Sequence, residues 1–259
     1  MQLPFFHVDA FTQKTLQGNP AAVIPLTAWL DDALLQKIAA ENNVSETAFF
    51  VPTDKGFHLR WFTPTTEVPL CGHATLAASS VIFNELGFDK NLIHFETQSG
   101  ELIVLKKGDD IIMDFPTKAP KPCPIPAGLS EALGVPILET HENHFVLCVV
   151  KNEQDVLNAT PDHNALANIA PGEFILTARS RDYDFVSRCF APGHGITEDP
   201  VTGAAHCVSA PYWADKLGKA TLRARQVSMR GGDVTCTLKG NRVELMGQCS
   251  LFLKGTIFL

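Results

Sequence analysis

The chain states nearly the same text twice, and that limits what it can fold into. Arg60-Trp61-Phe62-Thr63-Pro64 is echoed by Arg188-Cys189-Phe190-Ala191-Pro192, and Glu67-Val68-Pro69-Leu70-Cys71-Gly72 by Glu198-Asp199-Pro200-Val201-Thr202-Gly203. The first pair is offset by 128 residues and the second by 131, and the 131 offset persists through Leu86-Gly87/Leu217-Gly218 and Gly100/Gly231. An offset of about half of 259 residues means two related halves rather than a short-period solenoid. Two such halves set face to face enclose a cleft, and positions that differ between the copies are where chemistry is to be sought.

The halves meet at Pro116 to Pro126, where five prolines in eleven residues exclude a helix or an interior strand. This segment reads as an extended linker. It divides the chain into residues 1–117 and 118–259, with the C-terminal strand free to return to the first half. Each half reads as a run of short strands around one helix, 74–86 in the first and 204–217 in the second. The first helix is apolar on nearly every side, and a helix of that kind is enclosed by protein. Gly87 and Gly218 cap the two helices, and Pro211 is expected to kink the second or start a new segment. The fold class is therefore α+β, with two pseudo-symmetric barrel-like domains of mostly antiparallel strands, each wrapped around a central helix.

An apolar fraction of 45% against 19% charged residues supplies ample core. A net charge of −7 argues against a nucleic-acid partner, which calls for a basic surface. Seven scattered cysteines with no C-x-x-C pair read as reduced thiols in a cytoplasmic setting, and no apolar run is long enough for a membrane span. There is no phosphate-binding glycine motif. His141 and His144 lack a third ligand and read as surface residues. No nucleotide or metal cofactor is expected.

Chemistry concentrates at the two helix starts. Pro69-Leu70-Cys71-Gly72 and Pro200-Val201-Thr202-Gly203 bring glycines and free helix N–H groups to one point, an arrangement that attracts a carboxylate. His73 falls in the first helical turn, where the dipole disfavours the imidazolium. Cys71 is a candidate acid/base thiol, whereas its counterpart Thr202 cannot do that work. Asp199 stands where the first copy has the apolar Val68; it reads equally as local function or as an acidic residue favoured by the dipole. Glu46 opens an apolar strand. Desolvation there would suit it to proton transfer, although periodicity alone favours a surface glutamate at a loop–strand junction.

Val8-Asp9-Ala10-Phe11, Gly18-Asn19-Pro20-Ala21, Ser45-Glu46-Thr47-Ala48-Phe49, Phe62-Thr63-Pro64, Glu67 to Thr75 and Glu198 to Gly203 occur in that order. Together they resemble the phenazine-biosynthesis PhzF-like isomerases from end to end. The resemblance implies a diaminopimelate-epimerase-like fold, a homodimer, and a cofactor-free proton shuttle on a small carboxylate-bearing molecule. In the characterised phenazine enzyme that molecule is a cyclic dihydro-hydroxyanthranilate. By the same resemblance Glu46 is the acid/base, His73 and Asp199 are its catalytic partners, and Asn19, Cys71, Gly72, Gly203 and Ala204 line the substrate. Ala204 departs from the pattern, because the phenazine enzyme has a serine there. A missing hydroxyl contact puts the same substrate in doubt, and His206, two residues on, is the candidate to compensate. Two rival readings stay open: a one-cysteine epimerase with Cys71 and Glu46 facing each other across the substrate, and a non-catalytic binding protein on the same scaffold.

Overall fold

The computed structural model describes all 259 residues. They divide into two compact units, the first comprising Met1–Asp114 with Met246–Leu259 and the second Phe115–Leu245. The boundary thus falls at 114/115 rather than 117/118, and the last fourteen residues belong with the first unit.

The first unit runs β1 (Gln2–Ala10), β2 (Asn19–Pro25), α1 (Asp32–Asn42), β3 (Glu46–Pro52), β4 (Phe57–Phe62), β5 (Glu67–Val68), α2 (Gly72–Glu85), β6 (Leu92–Thr97), β7 (Gly100–Lys107) and β8 (Asp110–Pro116). The second runs β9 (Lys121–Cys123), α3 (Leu129–Leu133), β10 (Glu139–Glu142), β11 (Val146–Val149), α4 (Glu153–Asn158), α5 (His163–Ala167), β12 (Phe174–Arg179), β13 (Phe185–Ala191), β14 (Ile196–Asp199), α6 (Gly203–Leu217), β15 (Thr221–Gln226), β16 (Gly232–Lys239) and β17 (Arg242–Gly247). The final strand, β18 (Cys249–Phe258), pairs antiparallel with β1 from Gln2↔Phe258 to Ala10↔Cys249.

The repeat reappears as topology. In the first unit β1–β2 is antiparallel, β2–β3 parallel, β3–β4 antiparallel, β4–β6 parallel and β6–β7 antiparallel. In the second, β10–β11, β11–β12, β12–β13, β13–β15 and β15–β16 follow the same sequence of senses. A parallel step requires a crossover, which α1 provides in one unit and α4 with α5 in the other. Each unit therefore folds its own copy of one mixed sheet around its own long helix. Every residue of α2 from His73 to Phe83 is buried.

The conserved text of the repeat resolves into one device built twice. Arg60 of β4 clamps Glu67 of β5 through two hydrogen bonds of 2.8 Å, and Arg188 of β13 clamps Glu198 of β14 through bonds of 2.8 and 2.9 Å. Each guanidinium also lies over an aromatic ring two residues on, Phe62 at 5.1 Å and Phe190 at 5.0 Å. Bidentate pairing of this kind fixes geometry as well as charge. It anchors the short loop that leads into α2 or α6, so the repeated residues hold the two helix starts in place. Both members of each pair are largely buried, and removing one strands the other's charge. Arg60→Met is therefore expected to destabilise the protein by about 2–3 kcal/mol, below the roughly 3–5 of a fully buried pair because Glu67 keeps some solvent. Adding Glu67→Leu should recover part of that loss. Urea denaturation of the two single variants and the double variant measures both effects.

Two local expectations need correction. The proline-rich segment is not wholly linker: Lys121–Cys123 forms β9, a strand pairing with β10, and a short strand of this sort tolerates Pro122. Nor does Pro211 divide its helix, for α6 is continuous from Gly203 to Leu217. Pro211 lacks the N–H that would bond the Cys207 carbonyl four residues back. Lys118 N–H donates to that carbonyl instead at 2.9 Å, which satisfies the helix from outside.

Candidate active site

Three chain segments of the first unit converge at the same end of its sheet. β2 and β3 are parallel neighbours with Ala21 opposite Glu46, so Asn19 and Glu46 open strands that start side by side. α2 packs against both strands, with Cys71 as its N-cap. The turn before Asn19 is fixed by Gly18 at φ +67°, where a Cβ would come within 2.1 Å of the Ala10 carbonyl oxygen. Only glycine fits there. Asp9, buried, accepts a hydrogen bond from Leu16 N–H at 2.7 Å and closes the same loop.

His73 sits at the centre of this cluster. Its Nε2 lies 3.1 Å from Glu46 Oε2, and its Nδ1 lies 3.2 Å from Asn19 Nδ2 and 3.5 Å from Cys71 Sγ. The Nε2 contact is close but off the axis of a straight hydrogen bond, a common state of catalytic contacts before they tighten around a reacting molecule. Burial pushes the His73 pKa down to about 3, so the ring is neutral and its contact with Glu46 is polar rather than ionic. Glu46 keeps 14% side-chain exposure while its Oε2 is buried. Glu46, His73, Cys71 and Asn19, all four named from the sequence, thus lie together in the fold.

Cys71 makes no side-chain cap to α2, and Thr202 makes none to α6. The first N–H groups of both long helices therefore have no side-chain acceptor at their N-caps, an arrangement that favours an anion. In the second unit the Thr202 hydroxyl instead donates to Asp199 Oδ2 at 2.5 Å. Gln226 straps this turn to β15. Its amide donates to the Asp199 carbonyl at 2.7 Å and to Thr202 Oγ1 at 3.1 Å, and its Oε1 accepts from Thr202 N–H at 2.9 Å. Sequence reasoning missed Gln226. The signal was present, because Leu222, Ala224 and Gln226 alternate on one face of β15 and put a lone amide on the core side.

Two expectations about histidines fail. His206 cannot stand in for the missing hydroxyl beside Ala204. Ala204 is exposed, whereas His206 is fully buried, packs against Phe185 and gives its Nδ1–H to the Thr202 carbonyl at 2.8 Å. His141 is not a surface residue: it is 9% exposed and packs edge-on against Tyr212.

A sequence profile of the PhzC-PhzF family, described as phenazine biosynthesis-like protein, matches residues 8–255. The chain belongs to this family. It is 49% identical over 259 residues to an uncharacterized isomerase of Pseudomonas aeruginosa, with both chains covered completely. It matches the crystal structure of a PhzF-family phenazine biosynthesis protein from Enterococcus faecalis with a TM-score of 0.98 at 45% identity, again covering 100% of each chain. A hydroxyproline epimerase from Agrobacterium vitis, only 10% identical, shares the fold with a TM-score of 0.63 over 99% of this chain and 92% of its own. The architecture is the diaminopimelate-epimerase-like α+β fold, and membership of a family whose curated relatives are named isomerases supports an isomerase-type role. No helix is long and apolar enough to cross a membrane.

Distances within the cluster limit its chemistry. Glu46, Cys71 and His73 each place a donor atom within 4.8 Å of the others, a donor set that suits a thiophilic divalent ion. Proton placement opposes a metal, since the imidazole nitrogen facing Glu46 would have to give up its proton and the other is engaged by Asn19.

Proposed function

We propose that this protein is a cofactor-independent isomerase that moves a proton within a small carboxylate-bearing molecule, with Glu46 as the acid/base. The observation that carries the reading is the Glu46 carboxylate set 3.1 Å from a neutral, buried His73 at the start of α2. As the carboxylate, Glu46 takes a proton from one carbon of the substrate. As the carboxylic acid it returns that proton to another carbon, so the double bond shifts and no electron is gained or lost. His73 stays neutral and steadies the carboxylate through its ring N–H. The first N–H groups of α2 hold the substrate's carboxylate, which the dipole and the missing side-chain cap favour.

Asp199 and Gly203 enter the reading through the family resemblance, with Asp199 held in place by Thr202 and Gln226. Ala204 points away from the substrate of the phenazine enzyme, because a site that lacks a hydroxyl contact selects differently. A related cyclic or β-substituted amino acid is the substrate class.

Proton NMR in D₂O on a panel of such amino acids, dihydro-hydroxyanthranilate included, tests this reading. Deuterium should enter a ring or α carbon of at least one compound. A compound that binds tightly and exchanges nothing would make the protein a binding module on an enzyme scaffold. Cys71→Ser is expected to keep the exchange; its loss, with ligand binding intact, would favour the one-cysteine epimerase instead.

A further inference from the structure

The geometry assigns Asn19 as a positioning residue that fixes the tautomer of His73 and thereby decides which oxygen of Glu46 carries the moving proton. Asn19 is fully buried at the first position of β2. Its Oδ1 accepts from the Ser45 hydroxyl at 3.2 Å, and its N–H₂ faces His73 Nδ1, also 3.2 Å away. An amide N–H₂ can only donate, so Nδ1 must be the acceptor and Nε2 must carry the ring proton. An independent neighbour agrees: a carboxylate oxygen lies 3.1 Å from Nε2, where a bare lone pair would be repelled. The Cys71 thiol, 3.5 Å from Nδ1, can donate or accept and fits the same tautomer. Amide and carboxylate thus select one tautomer together.

The consequence for Glu46 rests on the acid/base role proposed above. Its buried Oε2 faces the imidazole N–H at 3.1 Å and is the oxygen that N–H engages as the contact tightens, so the transferable proton travels on Oε1. Were His73 in the other tautomer, Nε2 would accept, and a protonated Glu46 would lose its proton into a hydrogen bond with the ring instead of giving it to substrate. Asn19 therefore acts on the reaction through His73, one residue removed from the reacting carbon.

The test is the two-bond ¹H–¹⁵N spectrum of histidine-labelled protein, in which a protonated and a bare ring nitrogen have distinct shifts. His73 is identified among the nine histidines by its absence in His73→Gln. Wild type should give His73 with Nε2 protonated and Nδ1 bare. In Asn19→Leu one hydrogen bond no longer biases the ring, and the tautomer ratio should relax by about tenfold. Turnover should fall in kcat in step with the fraction of His73 protonated on Nε2, with KM unchanged, the signature of an interaction that acts only on the chemical step. Asn19→Asp should place a proton on Nδ1 and lower kcat further. If Asn19→Leu fails to fold, Ser45→Ala removes the hydrogen bond to the Asn19 carbonyl oxygen, loosens the amide and should shift the spectrum in the same direction.

A wild-type His73 protonated on Nδ1 would overturn the inference. So would an Asn19→Leu protein that keeps the wild-type spectrum, or one in which KM rises while kcat holds, which would make Asn19 a substrate contact. The spectrum is recorded without substrate and so stands apart from the proposed reaction. If the tautomer follows Asn19 while Glu46→Gln turns over normally, the acid/base assignment fails and the tautomer assignment survives.

Discussion

Glu46→Gln is expected to lower kcat by about a thousandfold or more, within the 10²–10⁴ that positioned acid/base groups contribute, while KM changes by no more than a few-fold. Glutamine matches the carboxylate in shape and can turn its carbonyl oxygen toward the His73 N–H, so the packing at the start of β3 survives. It cannot accept a proton from carbon at neutral pH. A fall in kcat and kcat/KM together, with substrate affinity kept, is the pattern for loss of an interaction made only in the transition state. Steady-state kinetics on whichever compound shows exchange, beside a binding titration of the variant, separates the outcomes. Wild-type turnover would remove Glu46 from the chemistry. A large rise in KM at constant kcat would make it a binding group.

Much of this site can be read without coordinates because its residues are local in sequence. Cys71, Gly72 and His73 lie within one helix start, and capping rules alone put them at an anion-binding point. The Arg60–Glu67 and Arg188–Glu198 pairs were visible as repeated letters, but their meaning as clamps was not. Each joins two strands, and the register that sets arginine opposite glutamate appears only once β4 meets β5 and β13 meets β14. Asn19 was harder still. Its role depends on the parallel pairing of β2 with β3 and on α2 lying across both, three segments more than fifty residues apart at their extremes. Gln226 is the intermediate case: alternation placed it inward, yet its partners in the Asp199 to Thr202 turn lie twenty-four and twenty-seven residues away. His141 misled because its polarity suggests solvent, whereas an imidazole under Tyr212 buries readily as an aromatic ring.

Lowering the pH from 7.5 to 5 is expected to cost about 4 kcal/mol of stability, nearly all from two buried histidines. Burial alone pushes His73 from its ordinary 6.5 down to about 3, and it pushes His206 down to about 4 against a smaller opposing pull from its bond to the Thr202 carbonyl. A pKa lowered in the folded state means that the unfolded chain takes up protons first. Stability is then complete above about pH 6.5 and falls as the pH drops toward the folded values. At pH 5 each ring accounts for about 2 kcal/mol, a figure that hardly depends on the folded pKa once that lies below about 4.5. The carboxylates held below their ordinary range, Asp32 by Arg60 and Glu139 chiefly by Tyr212, lose their contribution only in more acidic solution, so the two windows separate. Urea denaturation at pH 7.5, 6.5, 5.5 and 5.0 should show the slope rising toward two extra protons bound by the unfolded chain. His206→Gln keeps a donor for the Thr202 carbonyl and cannot titrate, so it should halve the loss relative to its own stability at pH 7.5. A wild-type profile flat to pH 5 would mean that both rings are charged or solvated in the native protein, and a neutral His73 beside Glu46 could then no longer be part of the proton shuttle.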